Sequence, residues 1–315
     1  MSAQQQKLRF DGRTAIVTGA GGGLGREYAL LLASRGACVV VNDLGGSRSG
    51  ETGPAAADSR RAADKVVDEI HKAGGKAVAN YDSVENGAAI VQTAIDTFGR
   101  VDIVINNAGI LRDKSMLKMT DQDFDLVQQV HLRGSFLVTR AAWPYMREQK
   151  YGRIIMTAST AGLFGNFGQT NYAAAKMGLV GLSNTLAIEG AKYNVHSNVI
   201  VPVAASRLTE DVIPQDLLER LKPVYVAPVV AWLCHEQCNN TGGIFEAAGG
   251  WVGQYRLHRA QGKAYPSLEA MSPEAIKQDW DNITSMKDAK HINNITEQMA
   301  TLLASLESSD SKSKL

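Results

Sequence analysis

The sequence predicts an α/β protein built on a doubly wound parallel sheet, and three observations predict it. Short β-branched runs alternate with amphipathic stretches, which is how strands joined by crossover helices read. The first such run, Ala15-Ile16-Val17, leads at once into Thr18-Gly19-Ala20-Gly21-Gly22-Gly23-Leu24-Gly25 and then into a helical stretch. Polar residues collect just beyond the runs, at Asp43, Asp82-Ser83, Asn106-Asn107-Ala108-Gly109 and Thr157-Ala158-Ser159. A sheet of this class opens its ligand crevice beyond the carboxyl ends of its strands.

Taken in order, strands are expected over Thr14–Thr18, Ala37–Asn42, Lys76–Asn80, Ile103–Asn106, Gly152–Thr157, His196–Val201 and Gly243–Glu246, each an apolar run bounded by turn residues. Between them, helical spacing of apolar residues predicts helices over Gly25–Arg35, Ala56–Ala73, Val84–Phe98, Asp121–Gln149, Gln169–Ala191, Pro214–Glu219 and Pro228–His235. About seven strands with helices on both faces make a three-layer sandwich. Trp143-Pro144 predicts a kink rather than a boundary, and Gly45–Pro54 reads as a flexible rim after the second strand.

Residues 1–255 are thus expected to form one nucleotide-binding and catalytic domain. Over 256–307 the pattern turns to polar-linked helices that add no strand: Ser272-Pro273-Glu274 is a cap followed by a first-turn proline, and Ile295, Met299, Leu302, Leu303 and Leu306 share one helical face. Residues 308–315 are small and polar and are expected to be a disordered tail ending in Ser313-Lys314-Leu315, a receptor-read peroxisomal address.

With 315 residues, 44% of them hydrophobic, the chain can bury a substantial core. A net charge of +1 draws it neither to nucleic acid nor to an anionic membrane, and no apolar run approaches the roughly 20 residues of a membrane span. The polar start, Met1 to Gln6, lacks a signal-peptide core. Three cysteines, Cys38, Cys234 and Cys238, give no disulfide framework, and Cys234-His235-Glu236-Gln237-Cys238 lacks the second cluster of a zinc site, so no metal is expected.

The glycine run has the context of a Rossmann-type phosphate loop, in which backbone and helix start approach a pyrophosphate. Asp43, at the tip of the second strand, can accept hydrogen bonds from an adenosine ribose and would repel a 2′-phosphate. NAD is therefore favoured over NADP, although Arg48 or Arg26 could rescue the latter. Tyr172 and Lys176, spaced to share one helix face, place a phenol beside an ammonium, which favours the phenolate. With Ser159 upstream, a tyrosine so tuned suits acid/base work on an alcohol or ketone.

These motifs, Thr18–Gly25, Asn106-Asn107-Ala108-Gly109, Ser159 and Tyr172-x-x-x-Lys176, resemble the short-chain dehydrogenase/reductase family over roughly residues 10 to 253. Runs such as Val41-Asn42-Asp43-Leu44-Gly45-Gly46 and Val130-His131-Leu132-Arg133-Gly134-Ser135-Phe136 resemble its peroxisomal hydroxyacyl-CoA dehydrogenases in particular. The resemblance implies oxidation of a (3R)-3-hydroxyacyl-CoA with NAD, and a homodimer. Alternatives are a 17β-hydroxysteroid dehydrogenase, an NADPH-dependent 3-oxoacyl reductase, or a non-catalytic NAD-binding scaffold for a separate hydratase. It implies Tyr172 as base, Lys176 on the nicotinamide ribose and Ser159 on the substrate oxygen. It further implies cofactor contacts from Gly19, Gly23, Leu24, Gly25, Asp43, Asp82, Ser83, Asn107, Ala108, Gly109, Tyr172, Lys176, Ala204 and Ser206. Three departures stand out. His131 takes the place of the usual catalytic Asn, as a kink-stabilising donor, a relay member, or a buried histidine satisfied by a backbone carbonyl. Pro202-Val203 replaces Pro-Gly. The multifunctional relatives continue into a hydratase unit, so this chain is expected to supply the dehydrogenation alone.

Overall fold

The computed structural model describes residues 7–45, 49, 55–204 and 219–312. The chain divides into two compact units, Met1–Gln254 and Tyr255–Leu315.

In the first, β1 (Thr14–Thr18), β2 (Cys38–Asn42), β3 (Lys76–Asn80), β4 (Ile103–Asn106), β5 (Gly152–Thr157), β6 (Val195–Val203), β7 (Ile244–Ala248) and β8 (Trp251–Tyr255) form one sheet in the order β3-β2-β1-β4-β5-β6-β7-β8. β1 to β7 run parallel throughout. The order reverses direction between β1 and β4, which makes that gap the topological switch point. β1, β4 and β5 are buried at every residue, because helices cover both faces of a parallel sheet and its strands can be apolar on both sides. α1 (Gly23–Ser34) packs against α2 (Ala55–Lys72) and α8 (Ala227–Cys234) on one face. α3 (Gly87–Phe98), α5 (Gly134–Gln149) and α7 (Thr170–Gly190) pack on the other. Gly87 lets α3 approach α5: a Cβ there would lie 2.5 Å from the Leu137 carbonyl carbon and the Val138 nitrogen.

At the amino ends of the strands, the fully buried Asp102 accepts the Thr14 N–H at 2.9 Å and pairs with Arg13 at 3.2 Å and Arg100 at 2.6 Å. This cluster ties β1 to the start of β4 at the end of the sheet opposite the crevice.

The differences from expectation are local. The sheet has an eighth strand: Gly249 and Gly250, both at positive φ, turn the chain back into β8. Trp251-Val252-Gly253-Gln254-Tyr255 has no alternation of apolar and polar residues to announce it. The single helix expected over Asp121–Gln149 is α4 (Asp121–Gln128), a π-helical turn over Gln129–Arg133, and α5, which continues through Pro144. A π turn thus interrupts the helical run well ahead of the proline. Val84–Asn86 is a 3₁₀ turn ahead of α3, and a short helix, α6 (Thr160–Phe164), follows β5. The expected helix Pro214–Glu219 falls almost wholly outside the described residues.

In the second unit, Ser272 Oγ caps the Pro273–Thr284 helix by accepting the Ala275 N–H at 3.1 Å. Contrary to expectation the extension contains strand pairing: His258–Arg259 and Lys290–His291 form a short antiparallel ladder. The last helix, Ile295–Lys312, runs past residue 308, where a disordered tail was expected to begin.

Candidate active site

The glycine loop is shaped by close approaches that no side chain could share. A Cβ on Gly19 would stand 2.8 Å from the Ala108 Cα, and one on Gly25 would stand 2.4 Å from the Gly19 carbonyl oxygen. The loop is held from β4: Asn107 Nδ2 donates to the carbonyls of Thr18 at 3.0 Å and Gly19 at 3.1 Å. Thr18 Oγ1 in return accepts the N–H groups of Asn107 and Ala108 at 3.0 and 3.1 Å. α1 then opens at Gly23 with Gly22 as its cap, no capping side chain and no acidic residue in its first turn. Its first N–H groups are therefore free to meet an anion. A Cβ on Gly23 would project into open space, so the loop leaves room over Gly23 for a pyrophosphate.

Asp43 is set firmly at the tip of β2. Its Oδ2 accepts the Gly21 N–H at 2.8 Å and its Oδ1 the Gly45 N–H at 2.9 Å. A Cβ on Gly21 would come within 2.7 Å of that Oδ2, so the third residue after Thr18 must also be glycine. At the tip of β3, Asn80 Nδ2 donates to Asp82 Oδ2 at 2.8 Å and Asn42 Nδ2 to the Asp82 carbonyl at 2.8 Å. Ser83 caps the following turn by accepting the Glu85 N–H. Arg26 is committed to Glu69 and Glu27, which leaves it unsuited to a 2′-phosphate, and Arg48 lies outside the described residues. The residues present thus fit an adenine dinucleotide.

On the other side of the switch point, Ser159 caps α6, its Oγ accepting the Ala161 N–H at 3.2 Å, and it lies near enough to Tyr172 on α7 to lower that hydroxyl. Lys176, one turn further along α7, is buried, with Nζ 5.3 Å from the Tyr172 ring centre. That Nζ donates to the Thr157 carbonyl at 2.5 Å. The expectation that Lys176 lowers the tyrosine is not what this site does. Burial raises the Tyr172 hydroxyl above its ordinary value, against a lowering by the Ser159 hydrogen bond, and burial brings Lys176 down to about 7.

His131 sits inside the π turn, buried, its ring edge-on to Tyr172 with centres 5.2 Å apart. Its Nε2 lies 2.8 Å from the Ile110 carbonyl and 3.0 Å from the Ile110 N–H, so the ring is tied to that residue's backbone whichever nitrogen is protonated. Burial first, and the neighbouring Lys176 second, push it down to about 3 against the Ile110 hydrogen bond. Gly109 makes room for it: a Cβ there would stand 2.3 Å from His131 Cε1.

Ala204 follows β6, half-buried against the core, and Ser206 lies outside the described residues. Three residues escaped the sequence reading of the site: Thr18, Gly21 and Asn171. The first two stand in the glycine motif, but their partners lie in other strands. Asn171 had only its place beside Tyr172 to mark it. Among the described residues no group of His, Cys, Asp and Glu could hold a metal ion, and no helix is long and apolar enough to cross a membrane.

Comparison with known proteins agrees with this geometry. Residues 13–213 match the family model for short chain dehydrogenases. The chain is 58% identical over 309 residues to the peroxisomal multifunctional enzyme type 2 of Drosophila melanogaster, covering 98% of this chain and 51% of that protein. The solved structure of that full-length enzyme superposes with a TM-score of 0.81 at 51% identity, over 96% of this chain and 50% of the other. The chain thus spans about half the length of these relatives. A 7α-hydroxysteroid dehydrogenase solved with NADH and 7-oxo glycochenodeoxycholic acid matches with a TM-score of 0.68 at 30% identity, over 77% of this chain and 95% of that one.

Proposed function

The chain belongs to the short-chain dehydrogenase family, and from that premise we propose that it oxidises a (3R)-3-hydroxyacyl-CoA to the 3-oxoacyl-CoA with NAD, in the peroxisome. The observation that carries the reading is Tyr172 on α7 with the Nζ of buried Lys176 5.3 Å from its ring centre, across the switch point from the braced Asp43.

The dinucleotide, when bound, supplies the electron-pair acceptor for carbon 3 of the substrate. Gly19, Gly23, Leu24 and Gly25 hold its pyrophosphate, Asp43 its adenosine ribose, and Asp82 with Ser83 the adenine. Asp43 favours NAD because a carboxylate with both oxygens already fixed to N–H groups cannot turn away from a 2′-phosphate. Asn107, Ala108 and Gly109 would line the crevice, Ala204 its nicotinamide edge, and Lys176 would take the nicotinamide ribose. Ser159 orients the substrate hydroxyl toward Tyr172, which removes its proton. A cation entering the buried pocket would draw the tyrosine back down toward working pH. His131 stays uncharged near neutrality and acts by its packing against Tyr172 and its hold on the Ile110 backbone. The exposed Phe136, Met177 and Ile188 on α5 and α7 support pairing with a second copy. Ser313-Lys314-Leu315 supports binding to the peroxisomal import receptor, and lies outside the described residues.

The test follows NADH formation with each enantiomer of a 3-hydroxyacyl-CoA, with NADP and hydroxysteroids in parallel. The 3R ester with NAD is expected to turn over, and Tyr172→Phe to bind NAD normally while losing about 10²- to 10⁴-fold in kcat. Turnover surviving in that variant refutes the base; steroid turnover without acyl-CoA turnover replaces the substrate.

A further inference from the structure

Asn171 begins the turn of α7 that carries Tyr172, and it is fully buried. Its side-chain amide is completely used: Nδ2 donates to the carbonyls of Arg112 at 3.0 Å and Asp123 at 3.1 Å, and Oδ1 accepts the Tyr172 N–H at 2.8 Å. Its own carbonyl accepts from Gln128 Nε2 at 2.7 Å. Both carbonyls it grips belong to residues locked to each other, since Arg112 Nη1 meets Asp123 Oδ1 at 3.0 Å. Asp123 is fixed in turn by Thr120, whose Oγ1 donates to Asp123 Oδ2 at 2.8 Å. Arg112 Nε also donates to the Ser49 carbonyl at 2.8 Å, in the segment that follows Asp43. A dipole satisfied at every position in a buried site has one orientation, and here that orientation is passed to the residue next in the chain.

We propose that Asn171 is a positioning residue for the reaction, setting Tyr172 through the Arg112 and Asp123 carbonyls, with the Arg112–Asp123 pair holding those carbonyls in register. The inference rests on the reading of Tyr172 as the base. Proton transfer is steep in distance, and a small displacement of the phenol from the substrate hydroxyl lowers turnover without weakening cofactor binding, because among the described residues no hydrogen bond of Asn171 reaches the glycine loop or Asp43.

Asn171→Asp keeps the shape and replaces two donors by an acceptor facing two carbonyls. Its kcat for the (3R)-3-hydroxyacyl-CoA is expected to fall about 10- to 100-fold while the calorimetric Kd for NAD stays within about twofold. As pH falls and the new carboxyl gains a proton, one donor returns, so the ratio of variant to wild-type kcat should climb. Wild-type kcat in the folded variant overturns the proposal. So does a loss that is uniform across pH and accompanied by a lowered Tm, since that is what a purely structural residue gives. If Asn171→Asp does not fold, Arg112→Lys decides: lysine lacks the planar fork by which Arg112 meets the Ser49 carbonyl through Nε and Asp123 through Nη1, and a several-fold lower kcat is expected, whereas an unchanged kcat overturns the idea. Tyr172→Phe run alongside separates the two failures, because turnover in that variant removes the base itself, while an inactive Tyr172→Phe with a normal Asn171→Asp removes the positioning role alone.

Discussion

His131 makes the stability of this protein fall on acidification in a way that can be isolated. An unfolded histidine titrates near 6.5, whereas burial in the π turn brings His131 to about 3. Above the higher value both states are neutral and the full contribution to stability is present. As pH falls between the two, the unfolded chain takes up a proton that the folded chain refuses, and stability is lost. At about pH 4.5 the loss comes to about 3 kcal/mol, two pH units at about 1.4 kcal/mol each. His131→Asn removes the titrating ring while keeping an amide that can meet the Ile110 backbone. Urea unfolding of both proteins at about pH 7.5 and about pH 4.5 gives four free energies, and carboxylates common to both cancel in the difference. Wild type is expected to lose about 3 kcal/mol more than the variant over that interval. Equal losses would mean that the ring is protonated in the folded state, and the account of its burial would be wrong.

Three other outcomes are expected. In cofactor-free protein, carbon-13 NMR of the lysine ε positions should find one lysine, Lys176, titrating near 7; if every lysine titrates in the ordinary range, the buried amine has been misjudged. Gly21→Ala drives a methyl into Asp43 Oδ2 and should weaken NAD binding about tenfold or more by displacing that carboxylate. An unchanged Kd would show that Asp43 does not touch the cofactor. Gly87→Ala forces α3 off the backbone of α5 and should cost about 1–3 kcal/mol in urea unfolding, a loss that a stability equal to wild type would contradict.

The architecture was legible because its signals are local. β1, β3, β4 and β5 fall where their β-branched runs end, and Ser272 announces its helix by the proline after it. The chemistry was legible where a short motif carries it, as at Thr18–Gly25 and Tyr172-x-x-x-Lys176. What escaped depends on distance or on subtlety. A π turn of five residues leaves the apolar period of Asp121–Gln149 nearly undisturbed. β9 (His258–Arg259) and β10 (Lys290–His291) are too short to show alternation. Lys176 reads as a charge in the sequence, and only its enclosure beside Thr157 brings it down to about 7. Asn171 acts on carbonyls far back along the chain, which no spacing rule connects.

Asp102, Arg13 and Arg100 lie at the end of the sheet away from Ser159 and Tyr172, and they clamp the roots of the strands whose tips build the crevice. One contribution to durability is therefore lodged at the pole of those strands away from the chemistry. An engineer can harden or soften that clamp without touching Ser159, Tyr172 or Lys176.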